Sequence, residues 1–140
     1  MSDGCEGDAS GARVRRATDA DLLAAARVLD AALLEVPYDR LRAAVAAGDA
    51  LVAARDGSVV GVLVLGPSEA PGARHVEAVA VRRPDRRAGV GRALVEAAVE
   101  RAGALTADCR PAVAGFYRAL GFAVAERDGR AWAEYPPEGG

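Results

Sequence analysis

The hydrophobic positions of the first third of the chain form two helical stripes. Between residues 18 and 36, apolar side chains recur every three or four positions, which is the spacing of one face of a helix. Pro37 ends that stripe, because proline cannot continue a helix. Residues 39–47 repeat the pattern more briefly, and Gly48 follows as a helix stop. The sequence therefore predicts two successive helices here.

The rest of the chain alternates short apolar runs with helical stretches. The runs at 50–55 and 58–65 are joined by Asp56-Gly57, a dipeptide typical of a hairpin turn. The later predicted elements are a strand at 75–81, a helix at 90–102, a strand at 104–107, a helix at 111–120, and a closing hairpin of strands at 122–126 and 130–135. Val14 marks a first strand, so the order is β-α-α-β-β-β-α-β-α-β-β. This order predicts an α/β (α+β) fold, in which a mixed central sheet carries helices on both faces.

The length of 140 residues corresponds to one domain. Residues 1–12 are mostly small or polar and show no apolar periodicity, so we expect a disordered N-terminal tail. The predicted domain spans residues 13–135, and residues 136–140 form a short C-terminal tail.

Composition excludes several classes of function. The formal net charge of -2 gives no general attraction to nucleic acid. All 18 basic residues are Arg, so a Walker loop and a Schiff-base enzyme are both excluded by the missing Lys. A single His excludes a multi-His metal site. No apolar run is long enough to span a membrane, and the polar N-terminus is unlike a secretory signal, so we expect a cytoplasmic protein.

A turn rich in Arg and Gly joins the predicted strand to the helix at 90–102. The start of a helix offers free backbone N–H groups and the positive end of the helix dipole, so such a turn favours anions. Gly89 and Gly91 would let the backbone approach a ligand closely. Five arginines crowd the segment: Arg82, Arg83, Arg86, Arg87 and Arg92. We interpret the turn as a cradle for pyrophosphate.

Three sequence features, which follow one another along the chain as they do in a known family, indicate a resemblance to that family. Arg86-x-x-Gly89-x-Gly91 matches the signature R/Q-x-x-G-x-G/A, and Ala80-Val81 stands just before it, where the family ends a strand. The segment FYRALGF at 116–122 matches a second family pattern, "fYr-lGF". Over residues 13–135, the chain therefore resembles the GNAT superfamily of N-acetyltransferases.

The resemblance implies that acetyl-CoA is the co-substrate and that no metal takes part. Its pyrophosphate would lie on the glycine turn. Its pantetheine arm would lie along the preceding strand, in a gap where that strand splays from the next. The residues implied to contact it are Val79, Ala80, Val81, Arg86, Arg87, Ala88, Gly89, Val90, Gly91, Arg92, and Arg110, which stands where many members carry Asn.

The same resemblance implies that Tyr117 protonates the departing thiolate; the alternative is a packed core aromatic. Acetyl transfer also needs a base, because an ammonium has no free electron pair. Glu77 is the first choice, since a carboxylate on an apolar strand needs a function or a partner; by period two it shares a side with His75, Val79 and Val81. His75 is the second choice, because imidazole is a common base near neutral pH. The alternatives are an ion pair with an arginine for Glu77 and a solvated strand edge for His75.

Two classes of function are retained. The favoured one is an N-acetyltransferase that moves an acetyl group from acetyl-CoA to a primary amine, in a small molecule or a peptide, by direct attack in a ternary complex. The alternative is an acyl-CoA-binding regulatory protein of the same fold, and the presence of both Glu77 and Tyr117 favours the enzyme. A nucleotide-binding module would need G-x-G-x-x-G, which the turn lacks. A homodimer is left open.

Overall fold

The computed structural model describes residues 11–86 and 88–137, and these form seven strands and four α-helices. In chain order the elements are β1 Arg13–Arg16, α1 Leu22–Ala31, α2 Tyr38–Ala47, β2 Ala50–Arg55, β3 Ser58–Pro67, β4 Arg74–Val81, α3 Val90–Ala102, β5 Leu105–Cys109, α4 Ala114–Ala119, β6 Ala123–Arg127 and β7 Arg130–Tyr135. The predicted element order is confirmed.

The seven strands form one mixed sheet in the order β1-β2-β3-β4-β5-β7-β6. Neighbouring strands are antiparallel except β4 and β5, which are parallel. The parallel pair is connected through α3, because parallel neighbours need a crossover long enough to return the chain to the same end of the sheet.

Helices cover both faces of the sheet and define two hydrophobic cores. The α1-side core contains Leu29 of α1 and Leu41 of α2, packed against strand residues such as Val62. The α3-side core contains Leu94 of α3 and Tyr117 of α4, packed against the opposite face. The prediction of helices on both faces is therefore confirmed.

The parallel strands β4 and β5 pair over a short length and then separate. Their register runs from Arg74 opposite Leu105 to Val76 opposite Ala107. Beyond that point, residues 77–81 of β4 have no strand partner on the β5 side among the described residues. The sheet is therefore split between its two central strands, from Glu77 to the end of β4.

A β-bulge at Glu77 lies at the closed end of this split. Leu65 pairs with Val76, and Val64 pairs with Ala78, which leaves Glu77 as an extra residue in β4. An extra residue disrupts the strict alternation of side chains and bends the strand.

The bulge corrects one expectation about the faces of β4. Val79 and Val81 pack against the α3-side core, whereas Glu77 pairs with Arg40 of α2 on the opposite face. The expectation that Glu77 shares a side with both valines is therefore wrong, because period two holds only in a strand without a bulge. Glu77 does share a side with His75. The hydrogen-bond partner of His75 on β5 is Thr106, which lies between Leu105 and Ala107 of the α3-side core and therefore points to the opposite face.

The first helix is shorter than its apolar spacing predicts. Helix α1 ends at Ala31, and Leu33 adopts a positive φ of 62°. The N–H of Leu34 donates to the carbonyl of Leu29 at 3.1 Å, which closes the helix with the bond of a Schellman cap. The side chain of Leu33 is 88% exposed. The prediction that the helical face extends to residue 36 is therefore wrong.

The predicted N-terminal tail lies outside the described residues up to residue 10. Ala12 is fully buried and belongs to the α3-side core, so the described chain is packed from there onward. The division into 1–12, 13–135 and 136–140 stays a prediction. In the part of the chain that the structure describes, no helix is long and apolar enough to cross a bilayer.

Candidate functional site

The Arg/Gly turn has the backbone of an anion site. Gly89 has φ of 85° and caps α3, and its carbonyl accepts the N–H of Ala93 at 3.0 Å. The N–H groups of the first helical turn have no carbonyl of the same helix before them, so those of Val90, Gly91 and Arg92 are free to bind a ligand. The helix dipole adds partial positive charge at this point.

A cavity of about 420 Å³ opens beside this turn. It is lined by Val81, Asp85, Arg86, Gly89, Gly91, Arg92 and Phe116. A Cβ atom on Gly91 would lie 3.6 Å from the Phe116 ring and 3.7 Å from the Val81 side chain, which is ordinary contact. A methyl group therefore fits at Gly91, whereas a larger side chain would extend into the cavity or displace its wall.

Asp85 fastens the turn to the rest of the molecule. It is 3% exposed; Arg82 Nε donates to its Oδ2 at 2.9 Å, and Arg55 at the end of β2 pairs with its Oδ1. Burial raises the pKa of Asp85, but the hydrogen bonds from Arg82 and Arg55 outweigh it, so the pKa lies below its usual value. The carboxylate therefore stays charged, and two arginines neutralise it beside the anion site.

The arginines predicted to contact the cofactor differ in their surroundings. Arg86 Nε donates to the carbonyl of Val81 at 3.0 Å, and Arg92 Nε donates to Glu96 at 3.0 Å. Arg110 is exposed at the start of the turn that leads into α4. Arg87 lies outside the described residues.

The apolar residues predicted to contact the cofactor lie around the split. Val79, Val81 and Ala88 are partly buried against the α3-side core, and Val90 is buried within it. Ala80 is buried in the α1-side core. The prediction thus selected residues from both faces of β4.

The free edge of β4 points its backbone groups into the split. The N–H of Arg82 donates to Val60 of β3 at 2.8 Å. Because the backbone groups of successive strand residues alternate in direction, Val79 and Val81 turn theirs away from β3, towards the gap. An extended polar ligand in the split can therefore pair with β4 as a missing strand would.

Tyr117 brings a hydroxyl to the α3 side of the sheet. Its ring is 3% exposed and packs edge-on against Phe116 and Phe122, with centroids 5.1 Å away in each case. Burial, and to a smaller extent the charge of the nearby Cys109, raises the pKa of Tyr117 to about 12. No described residue hydrogen-bonds the hydroxyl, and no fully buried side-chain oxygen in the described ranges lacks a partner. The oxygen is therefore accessible, although the ring is core.

His75 lies in the part of β4 that pairs with β5, one residue before the last pair, and on the face opposite Tyr117. Its Nδ1 lies 2.7 Å from Oγ1 of Thr106, which in turn lies 2.8 Å from Oγ of Ser68. The imidazole ring stacks on Trp132 with centroids 5.6 Å apart and an interplanar angle of 23°. Because Thr106 and Trp132 both contact the ring, the alternative that His75 is only a solvated residue at a strand edge does not describe it.

Glu77 is held in an ion pair. Its Oε1 lies 2.9 Å from Nη2 of Arg40, and the same guanidinium donates to the carbonyl of Leu65 at 3.2 Å. Gly66 leaves room for the carboxylate, since a Cβ there would collide with it. The structure thus contains the ion pair with an arginine that was the alternative interpretation of Glu77.

Sequence reasoning missed three residues beside the predicted ones: Asp85, Thr106 and Trp132. Thr106 was detectable as a buried polar position within a predicted strand. Its pairing with His75 was not, because it depends on which strands are neighbours. In residues 11–86 and 88–137, no group of three or more His, Cys, Asp or Glu is close enough to hold a metal ion.

A sequence model described as "Acetyltransferase (GNAT) domain" matches residues 46–124, more than half of the chain. This range includes β3, β4, the glycine turn, α3, β5 and Tyr117. No curated protein matches the sequence.

Solved structures share the fold at low sequence identity. Ard1 from Thermoplasma volcanium has a TM-score of 0.73 at 20% identity, covering 88% of this chain and 95% of that chain. Rv2747 from Mycobacterium tuberculosis, in complex with CoA, has a TM-score of 0.70 at 26% identity, covering 81% and 72%. Diaminobutyrate acetyltransferase EctA from Paenibacillus lautus, in complex with L-2,4-diaminobutyric acid and coenzyme A, has a TM-score of 0.70 at 16% identity, covering 89% and 95%.

Proposed function

The chain belongs to the GNAT family of acetyltransferases, and on that premise we propose that it transfers an acetyl group from acetyl-CoA to a primary amine. The amine attacks the thioester directly, in a complex that holds both substrates. Two of the similar structures support this proposal: one contains CoA, and the other contains coenzyme A with the diamino acid L-2,4-diaminobutyric acid.

The observation that carries the proposal is the split between β4 and β5, with the glycine turn at its open end. From Val76 to Val81, β4 extends about 16 Å, at about 3.3 Å per residue. A pantetheine arm is an extended chain with two amides, and this backbone edge offers it hydrogen-bonding groups in strand direction. With the phosphates on the turn, the thioester would lie near the closed end of the split, beside the bulge at Glu77.

Tyr117 is the proposed general acid. Its pKa of about 12 keeps the phenol protonated across the neutral range, so it can donate its proton to a departing thiolate. The accessible hydroxyl on a buried ring gives this donor a fixed position. The N–H of Val79 is the proposed donor to the thioester oxygen, because it faces the split near its closed end.

The proposed acceptor side is the opposite face of the sheet, where His75 and Glu77 both lie. One of them takes the proton that the ammonium must lose before attack. The carboxylate of Glu77 is engaged by Arg40 at 2.9 Å, whereas one ring nitrogen of His75 has no partner among the described residues. This difference favours His75 as the base and gives Glu77 the role of shaping the acceptor site.

Release of the CoA thiol from acetyl-CoA, measured over a panel of amino acids, diamines and peptides, tests the proposal. We expect at least one amine to give equal amounts of thiol and N-acetyl product, the latter identified by mass. Binding of CoA without turnover on any amine would instead support the regulatory alternative, while absence of CoA binding would contradict both. The cytoplasmic location and the homodimer stay predictions.

A further inference from the structure

A chain of three hydrogen-bonding side chains leads from the closed end of the split to the loop after β3. His75 Nδ1 and Thr106 Oγ1 are 2.7 Å apart, and Thr106 Oγ1 and Ser68 Oγ are 2.8 Å apart. Thr106 is only 2% exposed, so its hydroxyl is placed by its strand and by these two partners. The N–H of Ala70 donates to Ser68 Oγ at 3.2 Å and holds the end of the chain.

The imidazole is held so that only one of its nitrogens is available. Nδ1 is occupied by Thr106, and the ring face lies on Trp132. No described residue bonds Nε2, and no fully buried side-chain nitrogen in the described ranges lacks a partner. Nε2 is therefore the nitrogen that a substrate or solvent reaches.

The direction of the hydrogen bonds decides what Nε2 can do. If Thr106 accepts from Nδ1–H and donates to Ser68, Nε2 carries a lone pair and can accept a proton. If Thr106 donates to Nδ1, Nε2 carries a hydrogen and cannot act as a base. A protonated ring donates from both nitrogens, so only the first direction is compatible with His75 holding a proton.

Resting on the proposed acetyl transfer, we propose that Thr106 is the positioning residue of His75. It accepts from Nδ1–H and passes the hydrogen bond to Ser68, and so holds the neutral ring in the Nδ1–H tautomer with Nε2 free. In the reaction, Nε2 takes one proton from the ammonium of the acceptor. The electron pair of the broken N–H bond stays on the amine nitrogen, which attacks the thioester carbon. The C–S bond breaks, its electron pair leaves with the thiolate, and the thiolate takes a proton from Tyr117. The nitrogen of the new amide loses a second proton, which restores Tyr117, and the imidazolium returns its proton to water.

Charged groups on the surrounding elements contribute to any pH profile of this site. They are Arg74 and Glu77 on β4, Glu69 in the loop after β3, Asp108 on β5, Glu134 on β7, which accepts from Trp132 Nε1 at 2.8 Å, and Arg40 on α2. A pH profile by itself would therefore mix several titrations. The tautomer therefore has to be measured spectroscopically on the imidazole nitrogens of His75.

The chain contains one histidine, so nitrogen-15 NMR of the full, untagged chain reports on His75 alone. Free imidazole side chains favour the Nε2–H tautomer, and we expect the opposite Nδ1–H tautomer in this protein at a pH where the ring is neutral. A wild-type ring in the Nε2–H tautomer would overturn the proposal. The NMR measurement of the tautomer does not require turnover, so its result is independent of the test of acetyl transfer.

Two matched variants connect the tautomer with catalysis. Thr106→Val keeps the shape and removes the hydroxyl, and we expect loss of the Nδ1–H tautomer with a fall in kcat/KM of about 10- to 100-fold near neutral pH. Thr106→Ser restores the hydroxyl and should return both readings to within about three-fold of wild type. An unchanged tautomer and unchanged pH profile of kcat/KM in folded Thr106→Val would overturn the assignment, as would an equal loss in both variants. Absence of turnover in the wild type with the Nδ1–H tautomer present would count against the acetyl transfer and not against the tautomer.

Discussion

Tyr117 shows how one side chain can be structural and chemical at once. Its ring packs between Phe116 and Phe122, while its hydroxyl has no partner among the described residues. From the sequence alone, a general acid and a packed core aromatic were alternatives, because a motif does not show that the ring and the hydroxyl lie in different surroundings.

We expect Tyr117→Phe to fold normally and to lower kcat about 10- to 1000-fold, the range for loss of a general acid. The ring contacts remain, so the free energy of unfolding and the affinity for CoA should change little. Steady-state kinetics, calorimetric titration with CoA and chemical denaturation measure the three quantities. Normal turnover in this variant would remove the tyrosine from the mechanism.

Glu77 is the residue for which the structure changes the interpretation most. Because its carboxylate is paired with Arg40, we expect Glu77→Gln to lower kcat/KM by a similar factor at pH 7 and pH 10. Arg40→Gln should give the same defect, and the double variant should lose no more, since partners in one interaction are not additive. A Glu77→Gln defect that shrinks at pH 10, where solvent itself deprotonates the amine, would identify Glu77 as the base.

At the scale of elements, the order of strands and helices was readable from apolar spacing, but two local features were not. The bulge at Glu77 arises from the pairing of β3 with β4, and pairing is not encoded in the periodicity of one strand. Helix α1 stops early because Leu33 takes a left-handed conformation, which usually favours glycine. Both deviations lie on the α1 side of the sheet, which is the proposed acceptor side.

The glycine turn gives a graded prediction. Gly91→Ala adds a methyl group that fits between Phe116 and Val81, so the Kd for CoA should stay within about three-fold of wild type. Gly91→Val adds two further methyl groups that must enter the cavity, and the Kd should rise more than about ten-fold. Calorimetry of both variants, with circular dichroism as the control for folding, measures this; equal affinities would contradict the assignment of the turn.

Helix α1 is preceded by an acidic cap whose effect depends on pH. The N–H of Thr18 donates to the carboxylate of Asp21 at 2.7 Å, and the hydrogen bond from Arg15 lowers the pKa of Asp21 to about 2. A lowered pKa contributes stability above the unfolded value, near 4, and this stability is lost as the pH falls towards 2. We expect Asp21→Asn to lower the free energy of unfolding by about 1–2 kcal/mol at pH 7, given partial exposure of Arg15.

The comparison of Asp21→Asn with Asp19→Asn controls for charge, since Asp19 is an exposed acid in the same turn. Urea denaturation from pH 7 down to pH 2.5 should show the gap between Asp21→Asn and wild type closing with acid. A gap independent of pH would show that the cap contributes through shape and not through charge.

At the scale of the whole molecule, the sheet separates the two halves of the proposed reaction. The glycine turn and Tyr117 belong to the α3 side, whereas His75, Thr106 and Glu77 belong to the face that α1 and α2 cover. The split between β4 and β5 connects the two sides. Motifs in the sequence identified the residues of each side, but only the topology shows that a single gap lies between them.

The proposed acetyl transfer requires that acyl-CoA binds in that gap. Amide hydrogen exchange with and without CoA tests it most directly, because the free edge of β4 should gain hydrogen bonds when the ligand takes the place of a strand. We expect slower exchange at Val79, Val81 and the first turn of α3, no change in β6 and β7, and weaker protection in Gly91→Val at a CoA concentration near the wild-type Kd. Protection confined to other elements, or none at saturating CoA, would contradict the placement of the site.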